Sequence, residues 1–182
     1  MLLINLIQED FSNYRKPSLF LGFPKCSGKC NKLAGQIVCQ NQELQKSKKI
    51  EISIQEIIDL YLNNSITKAI ICGGLEPLDT PEELIDLIES FRYFTDDDIV
   101  IYTGYTEKEV KNMLIYGHLL QYPNIIIKYG RFIPNQNSHY DKVLGVNLAS
   151  DNQYARIITD FKIINKIIER ESSYYNPNKL IV

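Results

Sequence analysis

The chain has 182 residues, 45% of them apolar and 23% charged, with a formal net charge of −2. That length suits a single domain over 1–182 whose core needs no disulfides, and the charge excludes the strongly basic face of a general nucleic-acid binder. No apolar run approaches the roughly 20 residues that span a bilayer, and "MLLINLI" is too short for a signal peptide and lacks its charged start, so a cytoplasmic protein with no membrane or nucleic-acid partner is expected.

In chain order, "SLFLGF" (18–23) is a short apolar run that leads into a cysteine-rich segment. "KSKK" near residue 48 is locally basic and reads as a solvated surface turn. "SIQEIIDLYL" opens a helix with Ser53 as cap and Glu56 three residues on, a capping box. "KAIICGG" (68–74), "DIVIYTG" (98–104) and "NIIIKYG" (124–130) are β-branched runs, each closed by glycine, and read as buried parallel strands. Between them "TPEELIDLIESF" starts a helix at Thr80 with Pro81 and Glu83, a second box. "TEKEVKNMLI" repeats the device with Thr106 and Glu109. A last helix is expected over "DFKIINKIIERE" (160–171). Strand followed by helix, several times over, predicts an α/β fold with a parallel sheet and right-handed crossovers. The loops after the strands then share one sheet edge, where ligands bind in such folds.

Three of the four cysteines, Cys26, Cys30 and Cys39, fall within fourteen residues. In a reducing compartment such a cluster points to metal or catalysis before a disulfide. Three thiolates suit zinc or an iron–sulfur cluster. A four-iron cluster held by three cysteines leaves one iron open to a substrate or cofactor. Gly28 and Gly35 supply the flexible loop such a site needs. Cys72 sits in an apolar strand and reads as a buried structural thiol rather than a fourth ligand. His118, in an expected helix, and His139, in a polar loop, read as structural or exposed.

These motifs resemble, in order, the radical S-adenosylmethionine (SAM) proteins, and among them the activating proteins of anaerobic ribonucleotide reductases. The resemblance runs over residues 3 to 160. It begins with the cysteine loop (24–41), in which Cys26 and Cys30 keep the family's C-x3-C gap. Eight residues, not two, then precede Cys39, whose "CQN" resembles the family's "CYN". "GGLEPLD" is similar to the family's Gly-Gly-acid-Pro turn, with an extra Leu75 before Glu76 and Pro77. "IYTGYT" is similar to its "YTGY". "YGRFIP" (129–134) and "NLASDNQ" (147–153) are similar to "DGRF" and "GSSNQ", with Tyr129 where the family often has Asp.

The resemblance implies a partial, incomplete parallel β/α barrel. It implies a [4Fe-4S] cluster on Cys26, Cys30 and Cys39. SAM contacts would fall on Gly73, Gly74, Glu76 and Pro77, on Thr103 and Gly104, and on Ser150 and Asn152, with Gln153 completing the last motif. Ile37 and Val38 would touch the adenine. It further implies reductive cleavage of SAM to make a glycyl radical on a large reductase subunit, with electrons from a reduced flavodoxin- or ferredoxin-type donor. No side chain is needed as acid or base. Two rival readings share parts of this pattern: another radical SAM enzyme acting on a small molecule or peptide, and a non-catalytic zinc or iron–sulfur module.

Overall fold

The computed structural model describes residues 1–159; the helix expected over 160–171 lies outside them. The chain begins with β1 (Leu2–Leu3), β2 (Asn5–Asp10) and β3 (Ser18–Phe23), then the short helix α1 (Lys29–Ala34), a 3-10 turn over Gln42–Lys46, and β4 (Ile50–Glu51). Next come α2 (Ile54–Leu62), β5 (Ala69–Gly74), a 3-10 turn over Pro77–Asp79, α3 (Pro81–Arg92) and β6 (Asp98–Tyr102). The chain continues through α4 (Glu107–Lys111), α5 (Leu114–Leu119), β7 (Ile125–Tyr129), β8 (His139–Asp141), β9 (Val146–Leu148) and β10 (Tyr154–Ile157).

Six strands form the main sheet in the order β10-β7-β6-β5-β3-β2. The four expected strands are its centre, and β3, β5, β6 and β7 run parallel. Both edges depart from an all-parallel sheet, because β2 pairs antiparallel with β3 and β10 antiparallel with β7. The fold is thus mixed α/β. Among the described residues β2 and β10 are the two edges of the sheet and are not paired with each other. No helix in the described residues is long and apolar enough to cross a membrane.

Side chains alternate between the two faces of a strand, and this period divides the core. Leu19, Leu21, Ile70, Cys72, Ile99, Ile101, Ile125 and Ile127 pack against α2, α3 and α5 through Ile57, Tyr61, Leu84, Leu87, Phe91 and Leu119. The intervening residues Ala69, Ile71, Val100 and Ile126 form the opposite face, covered by Tyr14, Leu144 and Leu148. The cover comes from the chain before β3 and from the β8–β9 hairpin, and it stops short of the carboxyl-terminal strand ends.

The capping boxes of α2 and α4 form as expected, with Ser53 and Thr106 each accepting from the backbone of the glutamate three residues on. The box expected at Thr80 does not form. The 3-10 turn runs directly into α3, and the Thr80 hydroxyl donates back to the carbonyl of Pro77. The third expected helix is two, since α4 ends at Lys111 and α5 starts at Leu114. His118 lies in α5, and His139 opens β8 rather than sitting in a loop.

At the carboxyl-terminal edge two glycines make the approach of β3 and β5 possible. Gly74 has φ +82°, and a Cβ there would lie 2.7 Å from the Gly22 Cα. Gly74→Ala must strain the backbone and push β3 away, at a cost of about 1–3 kcal/mol for the conformation alone. Urea unfolding is expected to show that loss as a lower midpoint with an unchanged slope.

Candidate metal centre

The uncovered end of the second sheet face is a cleft of about 480 Å³. Its floor is built by strand parity: Phe20, Gly73, Tyr102 and Lys128 are the next residues along β3, β5, β6 and β7 on that face. Cys26, Cys30 and Cys39 all line it, together with Val38, Gly74, Glu76, Thr103 and Gly104. The loops after three strands therefore meet in one place. Cys72 points into the opposite core layer and is fully buried, so its thiol is structural, and burial pushes its pKa up.

The cysteine segment is held to the sheet edge by backbone bonds. Leu75 N–H donates to the Phe23 carbonyl (3.1 Å) and Glu76 N–H to the Lys25 carbonyl (2.9 Å). The extra Leu75 thus extends the β3–β5 pairing past the strand ends. Ser27 N–H donates to Asp79, whose other oxygen accepts from the Tyr105 hydroxyl. Asn41 donates from its amide to the Gly74 carbonyl (2.8 Å). Within the enlarged loop, the Asn31 side-chain oxygen accepts from the N–H groups of both Val38 (2.9 Å) and Cys39 (3.0 Å). One side chain next to Cys30 therefore fixes the return of the chain at Cys39.

Helix α1, which carries Cys30, has no buried residue of its own. It is anchored by charge. Lys29 and Arg131 both bind the Glu109 carboxylate, at 2.6 Å and 2.9 Å, with Arg131 bidentate. Both cations also stack on the Tyr105 ring, an arrangement that adds cation–π attraction. The paired Arg131 guanidinium holds the Glu109 carboxyl well below the usual carboxylate range.

Two ionisable groups lie buried in the cleft. Glu76 accepts from Gly104 N–H (2.8 Å) and Leu78 N–H (3.2 Å), which joins the loop after β5 to the loop after β6. Burial nevertheless pushes its pKa up to about 7. Lys128 donates to the Gly130 carbonyl (2.9 Å), and burial pushes its pKa down to about 8. Burial also raises the Cys26 and Cys30 thiols, and the neighbouring thiols add to it.

The resemblance spread its site over more residues than the cleft gathers. Ile37 is exposed and outside the cleft, whereas Val38 lines it. Pro77 is buried in the 3-10 turn and does not line the cleft. Ser150 and Asn152 bond to each other and to the Ile133 N–H and Arg131 carbonyl, forming a turn behind the wall. Gln153 reaches the wall and donates to the Gly130 carbonyl. Tyr129 faces the helix layer beside Tyr154, and Lys128 is the residue of that strand end that enters the cleft. Neither Lys128 nor the Lys29–Glu109–Arg131 clamp was singled out from sequence. A lysine inside the apolar run "NIIIKYG" was the available signal for the first.

Among the described residues no three His, Cys, Asp or Glu side chains are close enough to hold a single metal ion. A tetrahedral zinc site draws its thiolates to within about 3.7 Å of each other. A cubic cluster holds them at its separate corners, which suits thiols placed around a cleft rim. Space beside Cys30 is kept by Gly104, where a Cβ would come within 3.4 Å of the Cys30 sulfur. Three thiols lining one cleft are the donor type that holds an iron–sulfur cluster.

Two outcomes follow for the metal-free protein. Below the ordinary glutamate pKa of 4.5, Glu76 is protonated whether the chain is folded or not. From there to about 7 only the unfolded chain has released the proton, so stability falls as pH rises. The loss, on the order of 3 kcal/mol, is complete above that value, and Glu76→Gln removes it. Urea midpoints of both proteins from mildly acidic to neutral pH check this. Glu109 acts in the opposite sense: its contribution is full above the ordinary carboxylate range and is lost toward acid. Separately, Glu109→Gln frees α1, and hydrogen exchange of residues 29–34 is expected to become several-fold faster while that of the central strands stays unchanged.

No curated protein and no solved structure matches the chain. The model of one family does match, over residues 18–155, from β3 into β10. That stretch holds the three cleft cysteines and the four parallel strands, β3, β5, β6 and β7, that form the cleft floor. It is well over half of the sequence, and the chain belongs to the 4Fe-4S single cluster domain family.

Proposed function

We propose that the protein is a radical SAM activating enzyme, which uses a [4Fe-4S] cluster on Cys26, Cys30 and Cys39 to make a glycyl radical on an anaerobic ribonucleotide reductase subunit. The observation that carries this reading is the meeting of three ordered loops in one cleft: the cysteine segment, the Gly73-Gly74-Leu75-Glu76 turn and the Thr103-Gly104 turn. In this reading the four parallel strands are part of an incomplete β/α barrel, and the cleft is the open end of its interior face.

When bound, the cluster and SAM would supply the radical chemistry, reductive cleavage of SAM and removal of hydrogen from a backbone glycine. The chain's own residues have other tasks. Cys26, Cys30 and Cys39 would hold the cluster and would leave one iron open to SAM. The backbone at Gly73 and Gly74 approaches a ligand closely because no Cβ intervenes. Lys128 presents a cation to a ligand carboxylate. Glu76 fixes the distance between the two turns and lines the cleft where an ammonium group would sit. Val38 and Phe20 give apolar contact and exclude water.

Anaerobic reconstitution with iron and sulfide, then reduction with SAM present, is expected to yield 5′-deoxyadenosine. Cys26→Ala, Cys30→Ala and Cys39→Ala should each abolish it. Addition of a candidate reductase subunit should then give a glycyl radical by electron paramagnetic resonance. A complete cluster that binds SAM but never cleaves it would reject the enzymatic reading.

A further inference from the structure

Arg131 follows β7 and lines the cleft, with its side chain only 13% exposed. Its guanidinium is used unevenly. The two terminal nitrogens, Nη1 and Nη2, both donate to the Glu109 carboxylate, at 2.9 and 3.0 Å. That pairing takes the end of the fork and leaves the Nε–H on its flank. Nε is buried and, among the described residues, has no hydrogen-bond partner. A guanidinium stays charged and offers five N–H donors, and a buried donor left unpaired is costly. Such an atom in the wall of a cleft calls for an acceptor.

Gly104 shows what borders that wall. A Cβ on Gly104 would stand 3.4 Å from the Cys30 sulfur, 3.5 Å from Glu76 Oε2 and 3.6 Å from Arg131 Cγ. These three groups share one small space, which is open because residue 104 has no side chain. Glu76 Oε2 already accepts from the Gly104 N–H. The Cys26 sulfur already has a donor too, the Gly28 N–H at 3.3 Å. The Cys30 sulfur is the acceptor left over. Burial raises the Cys30 thiol, Cys39 and Cys26 add to it, and the Arg131 charge opposes them. A protonated thiol is a weak acceptor, whereas an anionic thiolate takes a charge-assisted bond. The unpaired Nε–H of the metal-free protein is thus explained by an acceptor that arrives with the metal.

Resting on the cluster assignment above, we infer that Arg131 has two tasks: its terminal nitrogens clamp α1 through Glu109, and its Nε–H donates to the Cys30 thiolate of the bound cluster, raising the cluster's reduction potential. Reduction adds one electron and no proton, and Arg131 stays protonated throughout. The added negative charge spreads onto the sulfurs, so a cation and an N–H aimed at one of them favour the reduced state. Arg131 is therefore a positioning residue that acts through Cys30. The competing assignment reserves the Nε–H for the carboxylate of a small ligand in the cleft, and it leaves a ligand-free cluster unaffected.

The test uses the full chain reconstituted with iron and sulfide, without SAM, in a mediated potentiometric titration. Arg131→Lys keeps a cation for Glu109 but has no N–H along its stem. Lys29→Met loosens the same clamp and leaves Arg131 intact. At a fixed potential, Arg131→Lys is expected to lower the ratio of reduced to oxidised cluster about tenfold, a shift of about 59 mV for one electron. Lys29→Met should leave the ratio unchanged. A second measurement needs no variant: with 15N-labelled arginine, pulsed electron paramagnetic resonance of the reduced wild-type cluster should show a nitrogen coupling. Equal potentials in wild type and Arg131→Lys overturn the bond to Cys30, as does a wild-type cluster with no arginine coupling. An equal shift in Lys29→Met assigns Arg131 to the clamp alone and overturns it too. Wild-type protein whose iron and sulfide content shows no cluster overturns the metal-centre reading, and this inference with it.

Discussion

Everything at the functional end of this molecule depends on the two-residue period of a strand. One parity of β3, β5, β6 and β7 is consumed by the helix layer. The other parity is covered at one end and open at the other. A shift of one residue in any of these strands would exchange Lys128 with Tyr129, or Gly73 with Cys72, and place the wrong chemistry in the cleft. Register is therefore a functional quantity here as much as a structural one. It is protected by the near-continuous apolar burial of both faces along the central strands.

On that frame the loops are fixed mainly by backbone hydrogen bonds and one carboxylate. Glu76 is costly to bury, and its two N–H donors offset only part of the cost. The same site raises the Cys26 and Cys30 thiols. Without metal the cleft therefore favours protonated, uncharged groups. Cluster binding requires thiolates, so assembly releases protons and exchanges a neutral site for one dominated by metal–sulfur bonds. Half-buried charge does the complementary work. The Glu109 clamp secures a helix that buries nothing.

Much of this was legible in the sequence, and for identifiable reasons. The central strands are β-branched runs closed by glycine, and two of three capping boxes formed where their spacing placed them. Thr80 failed because the residues before it formed a turn of their own, which local pattern does not reveal. The edge strands were missed: "NLIQED" is half exposed and "YARI" is short, so neither has a strong apolar signature. At the site, cysteine spacing and the two glycine turns identified the right loops. Which residues of those loops face the cleft was set by tertiary register. That is why Ile37, Pro77, Ser150 and Asn152 lie outside the lining and Lys128 lies within it.

The enlarged loop has a further consequence. Asn31 accepts from the N–H groups of Val38 and Cys39 with one oxygen, so the chain leaves near Cys30 and returns beside it. Residues 32–37 form an excursion whose two ends are already joined. Distance along the chain and distance in space are thus uncoupled between the second and third cysteines. The length of that excursion can drift over generations with little effect on the thiols, because loop closure costs grow slowly with length. What must persist is an acceptor at the neck. A spacing rule that counts residues between cysteines would overlook such a chain, whereas one that looks for the residue closing the neck would find it.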